Sequence, residues 1–132
     1  MVSLKAILVT VSLTAWCHIG RSEDISIVIH FPFNSYELNS DDKSRIKAAF
    51  KGKKIEDNIS ILGYTDSQGS RSYNHLLSIQ RMSVVASYIV GLVPTGTEMK
   101  GRGYDSMNLL NKDRTKKEHA ENRRVEVYFS IR

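Results

Sequence analysis

The stretch from Gly63 to Arg81 joins two different sequence patterns, and it restricts the folds open to the chain more than any other segment. Before it, Ile59 and Ile61 stand two positions apart, which is the spacing of one face of a β-strand. A loop of small and polar residues, TDSQGS, follows, and a helical pattern begins at about Ser72. The segment therefore predicts a strand, a polar loop and a long helix, in that order.

The predicted helix, residues 72–90, carries a basic residue on its apolar face. At 100° per residue, Arg81 falls at the centre of the apolar stripe and Asn74 near its edge. The apolar members of the stripe are Leu77, Val84, Val85, Tyr88 and Leu92. A guanidinium in this place is largely withdrawn from water, which is costly unless an anionic group meets it. The pattern therefore predicts an anionic partner for Arg81.

Asp66, in the polar loop just before the helix, is the nearest candidate for that partner. Residues 73–81 of a helix rise only about 12 Å, so a loop folded back over the first two turns can bring Asp66 to Arg81. Such a pair offers an acceptor and a planar donor fork, which suits the ammonium and carboxylate at the end of a free amino acid. A partly buried salt bridge that only fixes the loop explains the same spacing equally well.

These residues also belong to a longer ordered pattern. The segment GYTDSQGSRSYNHLLSIQR is followed by GRGYD and later by ENRRVEVYF, and this order resembles the peptidoglycan-binding OmpA-like domain. That domain forms the C-terminus of outer membrane protein A and occurs in peptidoglycan-associated lipoproteins and flagellar motor stator proteins. The matching positions are Gly63, Thr65, Asp66, Gly69, Asn74, Leu77, Ser78, Arg81, Gly101, Gly103, Asn122, Arg123, Arg124, Val125 and Glu126. Tyr64 and Met82 depart from the usual His and Ala, which leaves the pocket rim and its fine specificity open.

The resemblance implies that Asp66 and Arg81 hold the amino and carboxylate ends of diaminopimelate in the peptidoglycan stem peptide. Asn74 and the NRR element, through Arg124, would supply further contacts. Asn34 either lines the edge of the pocket or is a turn residue. The ligand-binding set predicted in this way comprises Asp66, Arg81, Asn74, Arg124, Thr65, Leu77 and Asn34. The implied function is non-catalytic binding of peptidoglycan, which would anchor an envelope component to the cell wall.

Apolar alternation predicts strands at about 25–31 and 125–131, and a short strand is predicted at 99–103, where glycines permit close backbone approach. A further helix is predicted to begin at Ser40 and to end before Gly52. Four strands and two main helices with one-sided alternation predict an α/β (α+β) two-layer sandwich, a four-stranded mixed sheet with both helices on one face. The connection at 104–117 has no periodicity and is either functional or mobile.

Residues 1–22 are predicted to be a secretory signal peptide and residues 23–132 a single OmpA-like domain. A short basic start precedes the uncharged apolar run at 6–16, which is too short to cross about 30 Å of hydrocarbon. The domain is therefore expected in the periplasm of a Gram-negative envelope, either free or associated with the outer membrane.

The cleavage position has two interpretations. Cleavage after Ser22 leaves a domain without cysteine, whereas cleavage near Cys17 would follow LTAWC, which resembles a lipobox. Trp16 stands where lipoprotein signals usually have a small residue, and this favours the cut after Ser22.

Other classes of function are less well supported. No metal-ligand spacing occurs among the histidines, which are His18, His30, His75 and His119. No histidine is placed to activate Ser78 or Ser83, so an enzyme is not expected, and neither is a metal or cofactor. The lysines at 47–54 lack interleaved aromatics, so no nucleic-acid partner is predicted. The alternative is a periplasmic adaptor subunit of a secretion, conjugation or envelope complex, whose main contacts are with protein.

Overall fold

The computed structural model describes residues 21–132. Its elements, in chain order, are β1 (Glu23–His30), α1 (Ser40–Phe50), β2 (Ile59–Gly63), α2 (Arg71–Val90), β3 (Met99–Gly103), α3 (Lys116–Asn122) and β4 (Arg124–Ile131). The predicted signal peptide lies outside the described residues except for its last two positions, and Cys17 lies outside them as well. Within the described part of the chain, no helix combines the length and the apolar character that crossing a membrane requires.

The four strands form one mixed sheet in the order β1-β4-β2-β3. Strand β4 runs antiparallel to both of its neighbours, and Val127 lies opposite Ile27 of β1 and Ile61 of β2. Strand β3 runs parallel to β2. Because parallel neighbours need a crossover connection, α2 passes over one face of the sheet between them.

Both main helices cover the same face of the sheet. Ile46 and Phe50 of α1 and Val85 and Ile89 of α2 are buried in one apolar core with the inward side chains of the strands. The strand residues of this core are Ile27, Ile29, Ile59, Ile61, Val125, Val127, Phe129 and Ile131. The predicted two-layer sandwich, with a four-stranded mixed sheet and both main helices on one face, is confirmed.

Polar residues fix where the helices begin. The Asn39 side chain accepts a hydrogen bond from the Asp42 amide at the start of α1 (2.7 Å), and Ser70 Oγ accepts one from the Tyr73 amide at the start of α2 (3.2 Å). Each bond satisfies an amide that has no partner within the helix. Since Ser70 ends the polar loop, α2 starts directly beside Asp66.

Glycines allow α2 to lie very close to the ends of β2 and β3. A Cβ atom on Gly63 would be 2.1 Å from the Ser78 carbonyl oxygen, and one on Gly103 would be 2.5 Å from Ser78 Oγ. No side chain fits at these distances. The close approach brings the polar loop that follows Gly63 directly over the first turns of α2.

We expect Gly63→Ala to lower the free energy of unfolding by about 1 to 3 kcal/mol, because the added methyl group meets helix backbone that cannot rotate away. In Gly91→Ala the added Cβ atom would lie 3.6 Å from the Tyr88 carbonyl oxygen, which is an ordinary van der Waals contact. This control should change the same quantity by less than about 0.5 kcal/mol. Urea unfolding followed by circular dichroism measures both, and equal stabilities would contradict the close contact.

Candidate functional site

A small cavity lies between the polar loop, the first three turns of α2 and the loop that follows β1. It is lined by Phe33, Asn34, Asp66, Gln68, Gly69, Tyr73, Asn74, Leu77, Arg81 and Arg123. Its volume of about 60 Å³ admits a few water molecules or the end of a side chain, but not a sugar ring. Five of the seven predicted ligand-binding residues therefore meet at one place.

Arg81 is completely buried, and backbone carbonyl groups hold its guanidinium. Nε donates to the Ser35 carbonyl (2.8 Å), Nη1 to that of Tyr64 (3.1 Å) and Nη2 to that of Pro32 (3.2 Å). The Phe31 ring lies 5.4 Å from the guanidinium carbon. A guanidinium has five N–H groups, so one N–H on each terminal nitrogen has no partner in these contacts. A guanidinium that keeps one free N–H on each terminal nitrogen can still donate to both oxygens of a carboxylate.

The predicted anionic partner for Arg81 is not what the structure shows. The Asp66 carboxylate pairs with Arg123 instead, at 3.2 Å from Oδ2 to Nη1, while Arg81 is satisfied by carbonyl dipoles. The helical stripe indicated a buried cation correctly, but it could not show that three carbonyls from distant segments would solvate that cation. Burial lowers the pKa of Arg81 to about 10, while nearby Asp66 raises it. The side chain therefore remains a cation at neutral pH.

Asp66 retains capacity to bind a ligand. Its side chain is 5% exposed, Oδ1 accepts a hydrogen bond from the Gln68 amide (3.1 Å), and Oδ2 accepts the one from Arg123. A carboxylate has about four acceptor positions, so about two remain. Asn74 lies alongside, with its side-chain nitrogen 3.5 Å from the Asp66 carbonyl oxygen.

The two arginines of the NRR element have different positions. Arg123 lines the cavity, and its Nε donates to the Phe31 carbonyl (2.9 Å). Arg124 does not line the cavity, because its guanidinium lies 4.0 Å above the Tyr64 ring and donates to Glu126 (2.7 Å). The strand period could have shown this from the sequence. Arg123 has the parity of the inward-facing Val125, whereas Arg124 has that of the outer face.

Thr65 and Asn34 lie in the two loops that border the cavity. Thr65 is buried, and its hydroxyl donates to the Asp66 carbonyl (2.9 Å) while its amide donates to that of Asp105 (2.8 Å). It is not among the cavity-lining residues, so it shapes the loop rather than the cavity wall. Asn34 lines the cavity and also has a left-handed φ of 54°, as a turn residue would. Asn34 is therefore both a turn residue and a residue at the edge of the pocket.

The two departures from the family pattern leave the cavity lining unchanged. The Tyr64 ring stacks on that of Tyr104, with centroids 5.4 Å apart, on the side of the sheet away from the core. The Met82 side chain packs over Gly101. Neither side chain lines the cavity.

The connection at 104–117 is ordered around one buried carboxylate, which the sequence analysis missed. Asp113 accepts hydrogen bonds from the amide and hydroxyl of Ser67 and from Asn122 (2.9 Å), and its Oδ1 lies 2.8 Å from His119 Nδ1. Burial alone would raise the pKa of Asp113, but the bonds from Ser67, Asn122 and His119 lower it to about 2. The network ties α3 to Ser67, the residue next to Asp66.

The depressed pKa of Asp113 makes a prediction about acid stability. The ionised Asp113 carboxylate adds to the free energy of unfolding above its ordinary pKa of 3.8. This added stability is lost as the pH falls towards the folded pKa of about 2. We expect Asp113→Asn to be less stable than the wild type by about 1 to 2 kcal/mol at pH 7, with the difference shrinking between pH 4 and pH 2. Urea unfolding at several pH values tests this, with exposed Asp57→Asn as the control. A difference independent of pH would show that the Asp113 charge does not matter.

The most buried serine beside the site has no free hydroxyl. Ser78 Oγ donates to the His75 carbonyl (2.8 Å) and accepts from the Asp105 amide (3.1 Å). Within residues 21–132, no three histidine, cysteine, aspartate or glutamate side chains are grouped closely enough to hold a metal ion. The cavity therefore offers fixed charges and hydrogen-bonding groups for a small polar ligand.

The mixed sandwich and its cavity define an OmpA-like α/β domain. The model of the OmpA family matches residues 30–123, and the chain belongs to that family.

Known relatives agree with this assignment. The chain is 39% identical over 69 residues to the peptidoglycan-binding protein ArfA of Mycobacterium tuberculosis, a match that covers 52% of this chain and 21% of ArfA. It is 30% identical over 109 residues to outer membrane protein A of Bordetella avium, covering 72% of this chain and 54% of that protein. The chain thus spans about a fifth of the one relative and about half of the other.

The same fold occurs in the crystal structure of the peptidoglycan-associated lipoprotein from Burkholderia pseudomallei. The two structures superpose with a TM-score of 0.68 and 19% sequence identity, over 77% of this chain and 88% of the lipoprotein. At this identity the likeness concerns the fold alone.

Proposed function

We propose that this chain binds peptidoglycan without catalysis, by taking the amino-acid end of the diaminopimelate side chain into the cavity. The observation that carries the proposal is the buried Arg81, which lines one cavity with Asp66 and has one N–H on each terminal nitrogen not used by its carbonyl contacts. A buried donor fork beside a carboxylate suits a ligand that carries a carboxylate and an ammonium on one carbon.

Each part of that ligand has a matching group in the cavity. The ligand carboxylate accepts from Nη1 and Nη2 of Arg81, and the ammonium donates to Asp66. The methylene groups that follow lie against Leu77 and between Phe33 and Tyr73, whose exposed rings flank the cavity. The volume of about 60 Å³ accommodates this end of the side chain, while the rest of the wall polymer stays outside.

The names of relatives support the same ligand. ArfA is a peptidoglycan-binding protein by name, and the name of the Burkholderia lipoprotein records its association with peptidoglycan. We infer that the present chain attaches an envelope component to the cell wall from the periplasm. The name of the outer membrane relative from Bordetella supports a location beside that membrane.

Sedimentation with purified sacculi tests the proposal. The purified protein should pellet with sacculi that contain diaminopimelate and stay in solution with sacculi that contain lysine, because lysine lacks the second carboxylate that Arg81 receives. No soluble wall fragments should appear during the incubation. Equal pelleting with both wall types would contradict the ligand assignment, and released fragments would indicate an enzyme.

A further inference from the structure

A second, larger cleft lies beside the cavity, at the edge of the sheet. It measures about 770 Å³ and is formed by the start of α2 and by the end of β3 with the loop that follows. The residues that give it its character are Arg71, His75, Arg102, Tyr104, Asp105 and Met107. This cleft is large enough for a peptide segment of a few residues, unlike the cavity that holds Arg81.

The cleft and the cavity are connected along the surface. Between them runs a groove of about 230 Å³ to which Gly69, Arg71, Asn74, Asp105 and Met107 all contribute. Gly69 and Asn74 also line the cavity, whereas the other three also line the cleft. A ligand anchored in the cavity can therefore extend into the cleft without leaving the protein surface.

The cleft has an excess of positive charge. Within residues 21–132, neither the Arg71 nor the Arg102 guanidinium has a carboxylate within 4.0 Å, and the Arg102 carbon lies 5.7 Å from the centroid of the Tyr104 ring. The carboxylate that lines the cleft, Asp105, is buried and lies 3.9 Å from His75. The guanidiniums of Arg71 and Arg102 therefore outnumber the one buried carboxylate of the cleft, and the cleft attracts anions.

We propose that this cleft is a second subsite, in which Arg71 and Arg102 bind a carboxylate of the same stem peptide, outside its diaminopimelate. The proposal rests on the proposed function, because the cavity must first anchor the peptide. Met107, which is 65% exposed, and Tyr104 provide apolar surface for the peptide between its charged groups. An acidic partner protein in the cleft is the competing outcome.

Two synthetic tripeptides of alanine, γ-linked glutamate and diaminopimelate separate the subsites. One keeps the free α-carboxylate of the glutamate and the other has it amidated. By isothermal titration calorimetry, the wild-type protein should bind the free acid about tenfold more tightly than the amide, since a charge-assisted pair is lost. The Arg71→Gln/Arg102→Gln variant should bind both peptides as the wild type binds the amide.

The control variant Lys53→Gln/Lys54→Gln removes the same charge from an exposed segment away from the groove and should keep the tenfold preference. Equal wild-type affinity for both peptides, or an unchanged preference in the double arginine variant, would overturn the second subsite. Failure of the proposed function gives a different result. In that case the wild type would not bind the amidated peptide, or Asp66→Asn would bind it as well as the wild type does.

Discussion

Asp66→Asn should reduce the affinity for diaminopimelate-containing stem peptide by about 100-fold, because Asp66 supplies the only carboxylate that lines the cavity among residues 21–132, and the ligand ammonium loses it. The substitution preserves size, and the remaining amide oxygen can still accept from the Gln68 amide. The new NH₂ group would face Arg123 Nη1, so we also expect a loss of about 1 to 2 kcal/mol in the free energy of unfolding. Calorimetric titration and urea unfolding measure the two effects separately.

Asp57→Asn is the matched control for this change. Asp57 is exposed, lies in the loop before β2, and uses one oxygen to accept from the neighbouring Asn58 amide (2.7 Å), a bond that asparagine can keep. The Asp57→Asn protein should equal the wild type in its affinity for the stem peptide and in its free energy of unfolding. If a folded Asp66→Asn protein bound the stem peptide as tightly as this control, the ammonium would not be recognised at Asp66.

Replacing Arg81 should give the largest combined effect on stability and binding. Arg81→Met removes the donor from the carbonyls of Ser35, Tyr64 and Pro32, and because the Tyr64 carbonyl is buried and an unsatisfied buried group costs about 1 to 3 kcal/mol, the free energy of unfolding should fall by about that amount. Arg81→Lys keeps the charge but loses the planar fork. It should remain folded at low temperature and should bind the stem peptide at least about 100-fold more weakly.

Arg114→Lys provides the control for the lysine variant, because it makes the same chemical change at an exposed position. It should match the wild type in both measurements. Circular dichroism at the titration temperature establishes that Arg81→Lys is folded, so that weak binding cannot be attributed to loss of structure. Wild-type affinity in a folded Arg81→Lys protein would show that the two terminal N–H groups do not receive the ligand.

The sequence predicted the elements well because each has a strong local signal. The helix expected from Ser72 begins at Arg71, and the strand expected at 99–103 is observed at Met99–Gly103. The buried position of Arg81 followed from the helical period. Local patterns also predicted that Asp66, Asn74 and Leu77 lie close together, because all three lie in the loop or on one face of the helix that follows it. All three line the cavity.

Partners that are distant in sequence could not be predicted in this way. The carbonyls that hold Arg81 belong to a loop 46 to 49 positions earlier and to Tyr64, 17 positions earlier. Asp113 contacts Ser67 across 46 positions from a connection with no periodicity. Such contacts depend on how the loops pack, and side-chain spacing carries no signal for them.

The choice between Arg123 and Arg124 is different, because the alternation of β4 contains the answer. Counting back from the inward-facing Val125 places Arg123 on the helix side and Arg124 on the outer face. The family resemblance implied Arg124 as the contact from the NRR element, whereas the residue of that element that lines the cavity is Arg123. Strand parity should be applied whenever such an element borders a strand.

A crystal structure of the protein bound to a diaminopimelate tripeptide tests the central claim most directly. We expect both oxygens of the side-chain carboxylate within about 3 Å of Nη1 and Nη2 of Arg81, and the ammonium at a similar distance from the Asp66 carboxylate. A tripeptide bound elsewhere on the domain, with the cavity between Asp66 and Arg81 left empty, would contradict the account.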